Sequence, residues 1–428
     1  MRVLMVNAFH WLKGGVERTV FDETRWLEAA GYEVAHFAIR DPRNVPSPFE
    51  EQFAPPADYG ESTPAWRQLG QLARAIWSAP AGRALAGLLY AVRPEVAHVH
   101  APSRYLTPSV IAELHRMGVP IVMTLHDFKP WCTNRVLFAR GEVCERCRGG
   151  HHWHAVTTGC VQRSHLKSLV GAIEAYEHDR RRAYAPIRLW IAPSRFVRDK
   201  AIELGADAER MRVLVHGVEA LPVSEPAWVG SSHMSRQAEP QPPASAAPDL
   251  PERFALYAGR LSEEKGVRLL PALAREIAPV PLVVAGGGPL AAWLVECPEA
   301  EPGSGTLRLL GHLDAVTLAQ VRARAAVVLV PSLFPETFGY AVAEAQMDAR
   351  PVVASRIGAL TELVEHEVTG LLVTPGDGVA LAQATKRVLA GPAAARWGEA
   401  ARARAQAAFA PDAHTRGLRA LYEEAMHG

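Results

Sequence analysis

Two glutamates eight positions apart, Glu336 and Glu344, are the residues of this 428-residue chain with the clearest potential for chemistry. An apolar run over 325–330 precedes them, and a helical pattern over 340–347 carries the second of them. Another apolar run at 351–354 follows, so the stretch predicts a strand, a loop, a helix and a strand, which is a βαβ crossover. Open α/β sheets bind ligands at the carboxyl ends of such strands.

Gly339 begins the predicted helix and lets the backbone approach a ligand closely. The first amides of a helix are unpaired and favour an anion, so this turn predicts a bound phosphate, and its neighbours Phe338 and Tyr340 are further binding candidates. The carboxylate of Glu344 can accept hydrogen bonds from hydroxyl groups such as those of a ribose. Glu336 lies before the helix and can reach a different part of the same ligand.

Two carboxylates beside a diphosphate would repel it unless cations neutralise the phosphates. The segment Gly-Arg-Leu-x-x-x-Lys-Gly at 259–266 supplies Arg260 and Lys265 directly after another apolar run. A guanidinium can bind phosphate oxygens through two hydrogen bonds, and a lysine adds a point charge. This segment therefore predicts a diphosphate clamp.

The glutamate stretch, framed by Pro331-Ser332, Phe338-Gly339 and the residues 351–355, resembles the signature of the retaining glycosyltransferases of family 4. The segment 259–266 is similar to the diphosphate clamp of that family, and the resemblance spans nearly the whole chain. It implies an α/β protein of GT-B architecture. Two Rossmann-like domains would face each other across a cleft, and a C-terminal helix would cross back to the first domain.

The resemblance also implies roles for residues outside these two segments. His126 follows the apolar run 119–125 and matches the histidine that lies beside the donor sugar in the family. Gly14 and Gly15 match a loop that meets the donor phosphate and the acceptor. Gly287 matches a glycine-rich strand exit near the donor base.

The implied activity is retaining transfer of a hexosyl group from a UDP- or GDP-type sugar to a hydroxyl group. The acceptor would be a saccharide, a lipid-linked saccharide or a small molecule, as in polysaccharide biosynthesis. No cofactor would be required, because Arg260 and Lys265 would neutralise the leaving diphosphate while His126 and Glu336 act at the sugar. The alternatives are a GT-B sugar-nucleotide epimerase or hydrolase, and a non-catalytic subunit that binds a nucleotide sugar.

A cysteine-rich insert at 130–165 does not follow from the resemblance. Its four cysteines have the spacing C-x11-C-x2-C-x12-C, and they are Cys132, Cys144, Cys147 and Cys160. Four thiolates can close a tetrahedral zinc site that stabilises a polar loop, and disulfides are disfavoured in a cytosolic chain. The spacing predicts a structural zinc ion, with unligated or redox-active thiols as the alternative.

Composition restricts the class of protein further. The formal charge of +1 gives no electrostatic reason to expect a nucleic acid partner. No run of about 18 apolar residues predicts a membrane span, and the apolar start is too short for a signal peptide. We therefore expect a cytoplasmic protein with at most peripheral contact at the inner face of the membrane. The sequence does not define an oligomeric state.

The predicted organisation has four parts. An N-terminal Rossmann-like acceptor domain covers 1–221, and a linker, disordered in part, covers 222–251. A C-terminal Rossmann-like donor-binding domain covers 252–410, and the helix 411–428 returns to the first domain.

Two positions depart from the family pattern, which usually has glycine where Ala349 and Ala359 stand. If position 349 requires a positive φ, alanine costs up to ~1 kcal/mol there. The second departure weakens any donor contact assigned to Ala359.

Overall fold

A computed structural model of the protein describes residues 1–56, 65–219, 249–301 and 305–427. These residues form two compact units, of which the first comprises 1–140, 144–217 and 411–427. The second comprises 141–143, 218–219, 249–301 and 305–410. Most of the linker predicted over 222–251 lies outside the described residues.

The first unit is built on a six-stranded parallel sheet in the order β2-β1-β3-β4-β7-β8. Its central strands are almost entirely apolar, as expected where both faces of a parallel sheet are covered. Up to residue 213 the strands are β1 (Arg2–Val6), β2 (Glu33–Phe37), β3 (Val96–Val99), β4 (Ile121–Thr124), β5 (Phe138–Ala139), β6 (Glu142–Val143), β7 (Leu189–Ala192) and β8 (Met211–Val213).

The helices of the first unit connect these strands. In chain order they are α1 (Gly15–Ala29), α2 (Ala65–Ile76), α3 (Ala79–Val92), α4 (Ser103–Leu106), α5 (Ser109–Arg116), α6 (Trp153–Thr158), α7 (His165–Arg180) and α8 (Arg195–Glu203). Serine caps the start of α3, α7 and α8 by accepting a backbone N–H. Among the described helices of the whole chain, none combines the length and apolar character needed to cross a membrane.

The second unit has a parallel sheet in the order β11-β10-β9-β12-β13-β14, the doubly wound arrangement in which the order reverses beside the first strand. Its strands are β9 (Ala255–Ala258), β10 (Leu282–Ala285), β11 (Leu307–Gly311), β12 (Val327–Val330), β13 (Val352–Ser355) and β14 (Gly370–Val373). Its helices are α9 (Leu270–Glu276), α10 (Ala291–Val295), α11 (Ala315–Arg324), α12 (Tyr340–Met347), α13 (Leu360–Leu363), α14 (Gly378–Ala390) and α15 (Ala393–Ala408). The predicted βαβ unit is present as β12, α12 and β13, and its strands pair in parallel.

The last helix, α16 (Pro411–His427), belongs to the first unit. Leu418 and Tyr422 on this helix are buried in one apolar cluster with Val3 of β1 and Val96 of β3. The chain therefore ends by covering the sheet on which it began, as the resemblance implied.

Ala349, one of the two departures from the family pattern, has φ +55°. It lies directly after α12, in the left-handed conformation that favours glycine at the end of a helix. Ala359, the other departure, has φ −63°, which alanine adopts without strain. Only the first departure carries a conformational cost.

Replacing Ala349 by glycine is therefore expected to raise the free energy of unfolding by up to ~1 kcal/mol. Thermal unfolding of purified protein measures this change. The matched control is Ala403→Gly on the exposed face of α15, which should lower stability by about 1 kcal/mol. Equal destabilisation by both substitutions would contradict the strain assigned to Ala349.

Candidate active site

The carboxyl ends of β9 and β12 meet where the strand order of the second sheet reverses. Arg260 follows β9 by two residues, and the loop that carries Glu336 follows β12. A reversal point of this kind opens a crevice at the carboxyl edge of the sheet. The topology thus brings together two segments that lie about 70 residues apart in the sequence.

The backbones of these two loops are in close contact. Gly266 has φ +73°, and a Cβ atom added to it would lie 2.0 Å from the carbonyl oxygen of Pro331. The backbone N–H of Leu333 donates to the carbonyl oxygen of Glu264 at 2.8 Å. Only glycine fits at position 266, and its contact sets the distance between the clamp loop and the glutamate loop.

Lys265 and Glu336 form an ion pair as a result. The Nζ atom of Lys265 lies 2.6 Å from Oε1 of Glu336, and the hydroxyl of Ser332 donates to the same oxygen at 2.6 Å. The side chain of Glu336 is 10% exposed and that of Lys265 is 29% exposed. The pair is therefore only partly screened by water.

Arg260 is exposed, and its guanidinium makes no ion pair with the residues that the structure describes. Its backbone is fixed, because the hydroxyl of Tyr257 donates to its carbonyl oxygen at 2.8 Å. The structure thus places an exposed cation on a fixed backbone, in the same loop as Lys265.

Glu344 is buried in α12 and has a partner that the sequence did not indicate. The Nη1 atom of Arg322 lies 2.8 Å from its Oε2, and the Nε atom of the same arginine lies 2.6 Å from Oδ2 of Asp348. One arginine of α11 thus orients both Glu344 of α12 and Asp348, the residue that follows this helix. Only a general indication of this partner was present in the sequence. A carboxylate on the buried face of a helix requires a cation, but the position of Glu344 in the sequence does not show which residue supplies it.

Gly339 has φ +107° and caps the start of α12. A Cβ atom there would lie 2.7 Å from Cδ2 of Leu360, so the turn requires glycine. Its neighbour Phe338 is buried and packs edge-to-face on Tyr340 and Phe409. Phe338 therefore supports the turn by packing, and its assignment as a ligand contact stays a prediction.

The glycine loop after β10 lies against the clamp. Cβ atoms on Gly286 and Gly288 would come within 1.9 Å of the Gly259 carbonyl oxygen and 2.5 Å of the Leu261 carbonyl oxygen. Gly287, the residue that the sequence singled out, would have nothing within 4 Å of its Cβ. The two flanking glycines are the ones that the packing requires.

In the first unit, His126 follows β4 and lines a pocket at the carboxyl edge of the sheet. The pocket is also lined by Asp127, Lys129, Arg135 and Tyr184. Burial lowers the pKa of His126 to about 3, so its imidazole is neutral at pH 7. Its Nε2 atom lies 3.0 Å from Nδ1 of His100.

Gly14 and Gly15 stand at the start of α1, and Gly14 is extended, with φ −173°. Glycine is therefore not required there by backbone conformation. Lys13 beside them lies 3.7 Å from the ring centre of Phe9, and Trp11 and Tyr105 complete an aromatic group around it. The sequence patterns did not indicate this aromatic group.

The four cysteines of the insert are free thiols. Among the residues that the structure describes, no three Cys or His side chains of the insert bring their ligand atoms within 4.8 Å of one another. Burial raises the pKa of Cys132 to about 12. Burial also acts to raise the pKa of Cys147, but hydrogen bonds from His152 and Thr133 outweigh it and lower that pKa.

Among the described residues, one group does bring three possible metal-ligand atoms within 4.8 Å of one another, and the sequence patterns did not indicate it. It comprises Glu23, His98 and His100, all buried in the first unit. The signal was present, because His98 in β3 and His100, one residue after that strand, are two positions apart and extended backbone directs such side chains to the same face.

Solved structures place this architecture in a known class. The chain superposes with a TM-score of 0.68 on sucrose-phosphate synthase from Thermosynechococcus elongatus, at 22% identity over 99% of this chain and 98% of that one. HepE from Anabaena, solved in complex with UDP-glucose, gives a TM-score of 0.64 at 19% identity over 99% and 100% of the two chains. The fold is the GT-B fold of glycosyltransferases.

Family models define the chain more narrowly. The model described as Glycosyltransferase Family 4 matches residues 13–220, and that described as Glycosyl transferases group 1 matches residues 252–391. Together they match most of the chain, which belongs to the group 1 glycosyl transferases of family 4. A glycogen synthase from Mycobacterium tuberculosis is 38% identical over 159 residues, which cover 36% of this chain and 38% of that protein. The match thus spans well under half of this relative's length.

The contact at Gly266 generates a prediction about stability. Gly266→Ala should lower the thermal unfolding temperature and weaken the Lys265–Glu336 contact, because a Cβ atom cannot fit against Pro331. Differential scanning calorimetry measures the first effect. Gly287→Ala is the matched control, with an unchanged unfolding temperature expected because its Cβ would meet no atom. If Gly266→Ala unfolds at the same temperature as the wild type, the close contact with Pro331 is not what holds the two loops together.

Proposed function

We propose that the protein is a retaining glycosyltransferase that moves a hexosyl group from a nucleotide-diphosphate sugar to an acceptor hydroxyl. The observation that carries this proposal is the Lys265–Glu336 ion pair at the switch point of the second sheet, with Arg260 in the same loop as Lys265. A cation pair and a hydroxyl-binding carboxylate are the groups that a sugar diphosphate requires. Family membership supports the same reaction.

Each group in the second unit has a role in donor binding. Arg260 and Lys265 neutralise the diphosphate, and the first amides of α12 bind it beside Gly339. Glu344, oriented by Arg322, accepts hydrogen bonds from the ribose hydroxyls. Donor binding draws Lys265 from Glu336 onto the phosphate, which leaves the carboxylate to accept a hydroxyl of the donor sugar.

His126 of the first unit acts at the donor sugar as a neutral hydrogen-bonding group. Its low pKa, caused by burial, makes an imidazolium at this position costly. We infer substitution from the face of the leaving group, in which the departing phosphate takes the proton of the acceptor. The cations stabilise the charge that develops on the diphosphate, so this scheme requires no metal ion.

The donor is a UDP- or GDP-sugar, and a UDP-hexose is the first candidate. Support comes from HepE, which was solved with UDP-glucose. The aromatic group of Phe9, Trp11 and Tyr105 beside Gly14 supports a saccharide acceptor, free or lipid-linked, because sugar rings pack their apolar faces on aromatic rings. We place the reaction in the cytoplasm, with any membrane contact peripheral.

A donor screen without acceptor tests the proposal. Purified protein is incubated with UDP-, GDP- and ADP-sugars while the thermal shift and the release of free nucleotide are recorded. One donor should stabilise the protein and be hydrolysed slowly. Arg260→Ala and Lys265→Ala should then each lower kcat/KM by about 10²-fold or more, because each removes charge stabilisation at the leaving group.

Arg268→Ala is the matched control for charge, since Arg268 lies on the same loop and packs on Trp293. Its kcat/KM should stay close to that of the wild type. Unchanged turnover in both clamp variants would refute the clamp. Donor binding with no turnover across candidate acceptors would identify a binding subunit, and turnover that no acceptor increases would identify an epimerase or hydrolase.

We also propose that the cysteine insert binds one structural zinc ion through Cys132, Cys144, Cys147 and Cys160. The thiols are free and lie close enough to influence one another electrostatically, as Cys132 is affected by both Cys147 and Cys160. Ligation would require the sulfur atoms to draw closer than they lie in the structure. The alternative is a redox-active thiol at Cys147, which lies beside His152, itself 3.0 Å from Asp179.

Elemental analysis of native protein should find one zinc ion per chain. Cys147→Ser should release it and lower the thermal unfolding temperature, because a structural ion contributes folding free energy directly. Cys297→Ser, outside the insert, is the matched control and should keep the metal. Metal-free native protein with an oxidisable Cys147 would support the redox alternative.

A further inference from the structure

A chain of buried polar side chains runs from His126 through His100 to Glu23 in the first unit. His126 Nε2 lies 3.0 Å from His100 Nδ1, and His100 Nε2 lies 3.5 Å from Glu23 Oε2. His100 and Glu23 are each 1% exposed, and neither of these two atoms has a hydrogen-bond partner among the described residues. Glu23 Oε2 also lies 3.5 Å from Nδ1 of His98, but that nitrogen already lies 2.8 Å from the hydroxyl of Tyr422. Because a buried polar atom left unpaired is costly, a small shift that pairs His100 Nε2 with Glu23 Oε2 is favoured.

The far end of the chain is closed by the C-terminal helix. His414 of α16 lies with Nε2 3.0 Å from Glu23 Oε1 and with Nδ1 2.7 Å from the carbonyl oxygen of Val215. A carbonyl oxygen only accepts, so His414 donates from Nδ1. Its Nε2 then either accepts a proton shared with Glu23 Oε1 or, in the imidazolium form, donates to that oxygen.

In both protonation states of the contact between His414 and Glu23 Oε1, the second oxygen of Glu23, Oε2, is left as a hydrogen-bond acceptor. Any proton on the carboxyl group lies on Oε1, toward His414, so Oε2 accepts from His100 Nε2–H whether Glu23 is ionised or neutral. With its proton on Nε2, His100 presents a lone pair at Nδ1. His126 must then donate from Nε2, and its own lone pair lies at Nδ1.

We propose that Glu23 and His100 are positioning residues that fix the tautomer and ring orientation of His126, and that His414 anchors this chain through the C-terminal helix. The proposal deepens the role assigned to His126 and rests on the proposed function. A neutral histidine acts on a sugar hydroxyl with whichever nitrogen faces it, so a fixed tautomer decides whether it accepts or donates there.

Metal binding by Glu23, His98 and His100 is the competing interpretation of this cluster. His98 is already engaged at both ring nitrogens, with Nδ1 2.8 Å from the hydroxyl of Tyr422 and Nε2 2.7 Å from that of Thr124. Ligation through Nδ1 would break the bond to Tyr422. Pairing of Glu23 Oε2 with His100 Nε2 would satisfy the two unpartnered atoms of this cluster without an ion.

Nitrogen-15 NMR of histidine-labelled full-length protein reads the tautomer directly. The His126 signals are assigned by their loss in His126→Asn. We expect the proton of wild-type His126 on Nε2. Glu23→Gln should keep it there, because the amide oxygen can accept from His100 while the amide nitrogen donates to His414.

Glu23→Leu and His100→Phe should release this constraint, since the first removes the acceptor for His100 and the second removes the acceptor for His126. Mixed or Nδ1-protonated His126 is expected in both. Donor turnover should show kcat lowered by about tenfold or more at nearly unchanged KM, as expected for a lost orienting partner, while Glu23→Gln stays near wild type. If one of these two variants does not fold, the other still tests the proposal.

A wild-type His126 protonated on Nδ1, or an unchanged tautomer in both folded variants, would overturn the proposal. Equal loss of kcat in Glu23→Gln and Glu23→Leu would also overturn it, as would one metal ion per chain that Glu23→Leu removes. The NMR readout needs no turnover. A wild-type protein that turns over no donor would therefore count against the proposed function and leave the tautomer test intact.

Discussion

The arrangement of the second unit depends on the contact between Gly266 and Pro331. A glycine without a side chain lets two loops approach at the carboxyl edge of the sheet, and the approach places a lysine within 2.6 Å of a partly buried glutamate. The lysine compensates the charge of that glutamate. The same pair of groups matches a ligand that carries both phosphates and hydroxyls, so the requirement for stability and the proposed chemistry coincide.

The two units stabilise their buried polar and charged side chains in different ways. The second unit uses ion pairs, in which Arg322 binds both Glu344 and Asp348. The first unit uses histidines that burial keeps neutral, linked through a single carboxyl group, Glu23. Burial raises the pKa of Glu23 and its contact with His414 opposes that shift. A neutral network can hold an imidazole in one tautomer without placing a net charge beside it.

The insert is the part of the first unit that family membership does not explain. It begins four residues after His126 and contributes Arg135 to the pocket that His126 lines, beside Lys129, which lies just before the insert. A segment with so many polar residues has little apolar area to bury, so its order depends on specific contacts such as the Asp179–His152 pair. Its position at the pocket gives it a direct influence on which molecules can reach His126.

The sequence by itself determined the βαβ unit around Glu336, because buried parallel strands, glycine turns and helix starts are local patterns. The role of the segment 259–266 as a diphosphate clamp stays a prediction. The family resemblance of these motifs implied the architecture. It also identified position 349 as a site that favours glycine. Only the tertiary structure decided that Gly286 and Gly288, rather than Gly287, pack against the clamp, and that Arg322 holds Glu344. The chain of side chains from His414 through Glu23 to His126 likewise joins residues up to 391 positions apart. Such partners are chosen by the packing of distant elements, which leaves no periodic signal in the chain.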